Sequence, residues 1–227
     1  MFTRQAKMKK SRVIYDDAQA VNFREIRMGN IAPGTLFRSS HPIKDYKQEA
    51  AISMLAGKAG IAAVLNLCDT SSRLSLKAFL APWYNALFIN GRIIGLGMDF
   101  SITSDRFKTR LKDALEFIIK TDGPWLIHCH AGVDRTGFVC MVLEAFMGAK
   151  LDDVIDDYLL SFNSLLGSSI YADLHTAMQI LSVMSDSIAI NEQNLQQVAE
   201  MYLQKKIGLS AVEIELLKNK LTATLKN

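Results

Sequence analysis

Proline is scarce: the chain of 227 residues has only Pro33, Pro42, Pro82 and Pro124, and nothing after Pro124 interrupts the backbone with a missing N–H. A half without proline excludes a turn-rich β architecture there and predicts helices. Cysteine is as sparse. Cys68, Cys129 and Cys140 exclude a disulfide framework, no pair stands at metal-ligand spacing, and a reducing compartment is expected. No run approaches the roughly 18 apolar residues of a membrane span. Near the start only Val13, Ile14 and Tyr15 precede Asp16 and Asp17, too little for the apolar part of a signal peptide. A cytoplasmic protein is the expectation, with secretion by a signal-independent route left open. Net charge is also small, +3 from 26 basic and 23 acidic residues, and residues 1–12 hold Arg4, Lys7, Lys9, Lys10 and Arg12 without an acid. The rest is slightly acidic, which excludes a broad nucleic-acid surface. What is present, 49% hydrophobic and 22% charged residues, is the balance of a globular protein.

Two regions differ in pattern. Short runs rich in branched residues, Thr35–Arg38, Ile61–Leu67, Ile93–Leu96 and Trp125–Cys129, lie between helical patterns at Tyr46–Ala59 and Ser104–Lys120. That alternation predicts an α/β fold with a central, mostly parallel sheet flanked by helices. Beyond it, helices are expected near 136–147, 151–165, 169–185, 191–206 and 210–225. Gly148, Gly167 and Gly208 follow apolar periodic stretches, as helix ends require, and Ser210 and Glu213 stand at capping-box spacing. Residues 1–165 are expected to form the α/β unit and 166–227 a helical extension packed on it.

The chemistry concentrates in Trp125-Leu-Ile-His-Cys-His-Ala-Gly-Val-Asp-Arg-Thr-Gly137. A buried strand, a loop from Cys129 and a helix opening at Thr136 aim backbone N–H groups and a helix's positive end at one point, which suits an anion. The same field favours the thiolate of Cys129, lowering its pKa from about 8.5. Arg135 supplies a planar fork for two phosphate oxygens, and Gly132 allows the backbone close to the anion. Thiolate, guanidinium and amides around one anion suit nucleophilic attack on a phosphomonoester. The plain alternative is a small inert core cysteine with an arginine six residues on by chance.

His-Cys-His-Ala-Gly-Val-Asp-Arg-Thr-Gly resembles the signature of the cysteine-dependent protein tyrosine and dual-specificity phosphatases. Asn22-Phe-Arg24, Gly34-Thr-Leu-Phe-Arg-Ser-Ser40, Val64-Leu-Asn-Leu67, Gly97-Met-Asp-Phe100 and Gly137-Phe-Val-Cys140 are similar to a bacterial tyrosine-phosphatase group in the same order. The resemblance implies a phosphotyrosine phosphatase-like fold, Cys129 as nucleophile, Arg135 as phosphate and transition-state clamp, and Thr136 as the hydroxyl that helps the sulfur leave. It implies a substrate cradle of His130, Ala131, Gly132, Val133, Asp134 and Arg135, with His128 ordering the loop. No metal and no cofactor is called for.

The leaving oxygen needs a proton from another loop. In the resembled families the acid is an aspartate some thirty residues before the nucleophile. Asp99 fits, Asp105 is the rival although it reads as a helix start, and Asp134 is a third choice. Arg38 and Ser39 either brace the loop from an adjacent strand end or form a surface turn before Pro42. His41 and His175 read as surface or packing residues, and Cys140 as core. Cys68, in Asn-Leu-Cys, is either a buried strand end or, by the resemblance, a partner that traps oxidised Cys129 as a disulfide.

The leading expectation is hydrolysis of phosphotyrosine, with phosphoserine and phosphothreonine as further substrates, on a phosphorylated protein or small phosphomonoester. An inositol phosphate or phosphoinositide phosphatase is the alternative. Its relatives often carry lysines in the loop, where this chain has His130, Ala131, Val133 and Asp134. A phospho-binding pseudophosphatase is less favoured because cysteine, arginine and acid are all present, and a sulfurtransferase because of Thr136 and Asp99. A DNA-reading helix pair at Leu195–Leu225 would place Glu213 and Glu215 against phosphate.

Overall fold

A computed structural model of the protein describes residues 21–43, 46–165, 172–185 and 188–223. The basic segment 1–12, Gly167, and the beginning of the helix expected from residue 169 lie outside the described residues. The strands are β1 (Arg24–Ile26), β2 (Leu36–Ser39), β3 (Ala63–Asn66), β4 (Ile93–Gly95) and β5 (Trp125–His128). They form one sheet in the order β1-β2-β5-β3-β4, antiparallel only at β1 with β2. The expectation of a mostly parallel sheet flanked by helices holds, with strand ends moved by one or two residues. The edge strand β1 was not expected.

Parallel neighbours require crossovers. Helix α1 (Tyr46–Lys58) follows β2. Two short helices, α2 (Ser71–Ser75) and α3 (Pro82–Ile89), with a 3₁₀ turn at Ala78–Leu80 between them, link β3 to β4. Helix α4 (Asp105–Lys120) leads to β5, and α5 (Asp134–Phe146) leaves the loop that follows β5. The rest is α6 (Leu151–Leu165), α7 (Leu174–Ser182), α8 (Leu195–Tyr202), a π-turn at Leu203–Ile207, and α9 (Ala211–Thr222).

Alternation along the strands sorts two apolar layers. Leu36, Ala63, Leu65, Trp125 and Ile127 face a core shared with Phe107, Leu111, Phe138 and Val142 and continuing to Tyr202 and Leu221. Phe37, Val64 and Leu126 face the opposite layer with Ile52, Leu74, Ala81 and Tyr84. The three inner strands β2, β3 and β5 are buried on both sides, as the middle of a parallel sheet demands, while the edge strands β1 and β4 are partly exposed.

Helix α4 buries Phe107, Leu111, Ala114, Leu115 and Ile118, one stripe at helical spacing, and Ser104 caps it by accepting from the Phe107 amide. Helix α5 is buried from Arg135 to Phe146, because it lies against α6, α7 and α8 while sharing the sheet's core. It begins at Asp134, two residues before the expected position. The expected helix 169–185 is shorter, starting after Asp173, whose side chain accepts from the Thr176 amide. The expected helix 191–206 starts at Leu195, after a turn in which the Leu195 amide donates to the Asn191 carbonyl at 3.1 Å. It ends in the π-turn at Gly208, whose φ of 82° is the left-handed conformation that glycine takes without penalty. The capping box of Ser210 and Glu213 forms as expected. No helix among the described residues is long and apolar enough to cross a membrane.

Candidate active site

Three parallel strands end level with one another: Ser39 of β2 and Asn66 of β3 are both paired with His128 of β5. The C-terminal ends of such strands are where α/β sheets gather their ligands. Cys129 follows His128 on the central strand, so the loop 129–133 is flanked by both neighbours. It runs into α5, placing Arg135 and Thr136 in the first helical turn.

The loop is held from β2. Gly132 has a φ of 74°, and a Cβ there would come within 2.3 Å of the Ser39 carbonyl oxygen, so only glycine permits this approach. The Gly132 carbonyl accepts two hydrogen bonds, from Asn22 Nδ2 at 2.9 Å and Arg38 Nη2 at 2.8 Å. The His41 amide donates to the His130 carbonyl at 3.2 Å. Arg38 therefore contacts the loop through its side chain. Ser39 does so only through its backbone, since its hydroxyl donates to the Ser40 carbonyl. The surface-turn reading of Arg38 and Ser39 is overturned, because both are fully buried.

Behind Arg38 lies a buried ionic cluster that the sequence did not reveal. Asp157 of α6 accepts from Arg38 Nη1 through one oxygen and from Arg24 Nε through the other, the latter at 2.6 Å. Arg24 also donates to the Asp157 carbonyl and to Ser161 Oγ. Burial alone would raise the Asp157 carboxyl, but Arg38 and Arg24 overrule it and hold it below its ordinary value. Neighbouring Glu144 is fully buried, and burial followed by the charge of Asp157 pushes its carboxyl well above the usual range. Burial thus favours the protonated form of Glu144, while the two guanidinium groups favour the charged form of Asp157. Asn22-Phe-Arg24 is legible as a motif; its partner, 133 residues away at Asp157, is not.

A second network supports the loop from β3. His128 is fully buried; desolvation, and then His41, pushes its imidazole well below 6.5, so it is neutral. The Tyr84 hydroxyl is held well above 10, chiefly by burial, and stands 2.9 Å from His128 Nε2. Tyr84 therefore donates to Nε2, which leaves the proton on Nδ1, 3.3 Å from the Cys129 carbonyl. Asn66 Nδ2 donates to Tyr84 Oη and to Asp69 Oδ2, both at 3.0 Å. Asp69 also meets His41 Nε2 at 2.7 Å and Lys77 Nζ at 2.8 Å. Burial would raise the Asp69 carboxyl, but hydrogen bonds from His41, Lys77 and Asn66 hold it far below its usual value. His41 is a buried packing residue and His175 an exposed one, within the expectation for both. Ligand atoms of His41, Cys68 and His128 lie within 4.8 Å of one another. Each is already engaged, with Asp69, Asn66 and Tyr84 respectively, so they hold a soft divalent ion only by giving up these partners.

Cys129 is 3% exposed and Arg135 4%. The guanidinium points inward: Nη1 donates to the Met98 carbonyl at 3.2 Å, and the exposed Phe100 ring covers its face with its centroid 4.3 Å away. Among the described residues, Arg135 Nε and Thr136 Oγ1 are buried without a hydrogen-bond partner. Buried donors rarely go unused, and these two flank the cysteine loop. His130 and Asp134 are exposed, Ala131 is half-buried, and Val133 is buried at 1%.

The three aspartates differ in setting. Asp99 follows Met98 on a loop fixed by amides of Leu96, Gly97 and Met98 to the carbonyls of Asn66, Asp69 and Leu67. Its carboxylate accepts from Ser104 Oγ at 3.1 Å and lies 3.7 Å from Arg106 Nε. Asp105, with a fully exposed side chain, opens α4 and pairs with Lys108. Asp134 opens α5 toward solvent. Cys68 is half-buried, donates to Asn66 Oδ1 at 3.3 Å, and is pushed up to about 12 by burial, then by the charges of Asp69 and Cys129. Cys140 is fully buried core, likewise pushed up to about 12, chiefly by desolvation.

The sequence pattern of the tyrosine phosphatase family matches residues 98–223, more than half of the chain. The chain belongs to this family and is a cysteine-based phosphatase. No curated protein matches its sequence. Among solved structures it is similar to the core catalytic domain of the PP-IP phosphatase SIW14 from S. cerevisiae in complex with citrate. The identity is 21% over 86% of this chain and 94% of that one, with a TM-score of 0.48. A second structure of the Siw14 catalytic core is 19% identical over 86% and 93%, with a TM-score of 0.45.

Proposed function

We propose that the protein hydrolyses phosphotyrosine, and beside it phosphoserine and phosphothreonine, through a cysteinyl-phosphate intermediate. The observation that carries this reading is the pair of orphaned buried donors, Arg135 Nε and Thr136 Oγ1, in the helical turn that follows Cys129. A phosphoryl group over the loop gives both a partner.

In the first step the Cys129 sulfur attacks phosphorus, the bond to the ester oxygen breaks, and Asp99 gives that oxygen a proton. Arg135 and the loop amides hold the equatorial oxygens, whose charge needs no metal to balance it. In the second step Asp99 takes a proton from water as it attacks phosphorus. The S–P bond breaks, and Thr136 donates to the departing sulfur. Asp99 is favoured over Asp105 and Asp134 because its neighbour Met98 is tied directly to Arg135. One phosphate per substrate is favoured because the loop interior carries no lysine, while Lys77 is engaged by Asp69 and Arg106 lies against Asp99. Polyphosphorylated inositols would need further cations.

The test is an aryl phosphate assay run with and without a chelator. Turnover is expected to survive chelation and to vanish in Cys129→Ser. Asp99→Asn is expected to lower kcat about 10²–10⁴-fold, and less on a substrate whose phenol leaves readily. Equal effects of Asp105→Asn and Asp99→Asn would remove Asp99 from this role, and preference for a soluble phosphoinositide over phosphotyrosine peptides would reverse the substrate order.

A further inference from the structure

Between Asp69 and Asp99 there is no aspartate or glutamate, the longest stretch of the chain without an acid. This stretch also exposes large apolar side chains. Leu76 is 76% exposed, Phe79 64% and Leu80 58%. Their spacing of three and one places them on the outer side of the turns joining α2 to α3, while Leu74, Ala78, Ala81 and Tyr84 fill the inner side as part of the core. Exposed Arg73 stands beside them.

The segment is fixed to the rim of the active site. Lys77, between Leu76 and Phe79, reaches inward to Asp69 at 2.8 Å. Thr70, which caps α2, bridges to Leu96 at the start of the loop that carries Asp99. The apolar side chains are therefore an outward-facing edge on a rigid base beside the mouth of the site.

We propose that this edge docks the protein on an anionic lipid surface, inserting Leu76, Phe79 and Leu80 with Arg73 at headgroup level. A few adjacent apolar side chains beside an exposed arginine, in a stretch of chain without an acid, match the pattern of interfacial insertion. A second copy of the chain or a stable protein partner would call for roughly 20–30 residues a side, far more than this narrow edge provides. Docking would turn the mouth of the site toward phosphate esters held at the surface. The binding itself does not depend on the reaction proposed above.

The test is co-sedimentation of the full chain with phosphatidylcholine vesicles, with and without about one-third phosphatidylserine. The protein is expected to bind the anionic vesicles and release them at high salt. The triple variant Leu76→Ser, Phe79→Ser, Leu80→Ser is expected to lose roughly a hundredfold in partitioning, and single Phe79→Ser and Arg73→Glu smaller amounts. Turnover of a soluble aryl phosphate by the triple variant should stay unchanged, which separates lost docking from lost folding. Undiminished binding by the triple variant would assign the contact to the basic residues 1–12 and overturn the proposal. So would a wild type that ignores anionic vesicles, or one that is dimeric in solution while the triple variant is monomeric.

Discussion

Arg38 Nη2 lies 2.8 Å from the carbonyl oxygen of Gly132, and the same guanidinium is paired through Nη1 with Asp157. One side chain thus connects the turn of the cysteine loop to helix α6. Arg24 and Asn22 close the circuit, since Arg24 Nη1 donates to Asn22 Oδ1 and Asn22 Nδ2 donates to Gly132. The Gly132 carbonyl is thus held by a buried frame of side chains behind the loop, the kind of support that preorganised electrostatics requires.

Asp157→Asn removes the negative charge that compensates two guanidinium groups, while leaving the volume nearly unchanged. Breaking one partner out of a buried ion cluster costs about 3–5 kcal/mol, and Asp157 is 3% exposed. Urea unfolding is expected to show a loss of this size, with kcat/KM falling because Arg38 no longer holds Gly132. Arg38→Lys, which keeps the charge but loses the fork, should retain more stability than activity. An Asp157→Asn protein as stable as wild type would show that the cluster carries no net structural role.

How far the sequence carries is clearest at this frame. Cys129, Gly132, Arg135 and Thr136 stand in one short run, and strand-loop-helix geometry follows from residues that are neighbours in the chain. The alternation of branched strands with helical stripes likewise gave the parallel sheet. Asp157 looks like one more acid on the polar side of α6, and only the packing of α6 against α5 turns it toward Arg38. His41, Asp69, Tyr84 and His128 likewise lie on separate elements whose convergence depends on which strands are neighbours. Helices α2 and α3 were missed for a different reason. They are short, and the turns that join them carry exposed Leu76, Phe79 and Leu80, which erases the periodic contrast that marks a helix.

Acid should weaken the protein through His128. Its pKa in the fold lies well below the 6.5 of the unfolded chain, so the unfolded state takes up the proton first. The contribution is complete above pH 6.5 and is lost as pH falls toward the folded value, by up to about 1.4 kcal/mol per pH unit. Glu144, raised by burial, tilts the other way: it contributes fully below about 4.5 and loses that contribution as pH rises toward its folded value. The stability gap between wild type and His128→Gln isolates the histidine. It should narrow from pH 7.5 to pH 5.5; a constant gap would mean that His128 is not held neutral.

Oxidation should separate the three cysteines. Cys140 is sealed in the core and Cys68 is held as a thiol, both pushed up to about 12, so neither is a direct target of peroxide, which attacks thiolates. Cys129 is then the first to form a sulfenic acid. The nearby Cys68 thiol can condense with it: a disulfide forms, the S–O bond breaks, and water leaves with the Cys68 proton. After mild peroxide, peptide mapping is expected to give a Cys68–Cys129 pair, unmodified Cys140, and activity that thiol reductants restore. In Cys68→Ser the same dose should carry Cys129 on to the sulfinic acid, and reductants should restore little. A wild type that goes straight to sulfinic acid would leave Cys68 as a strand-end residue whose hydrogen bond to Asn66 is its whole role.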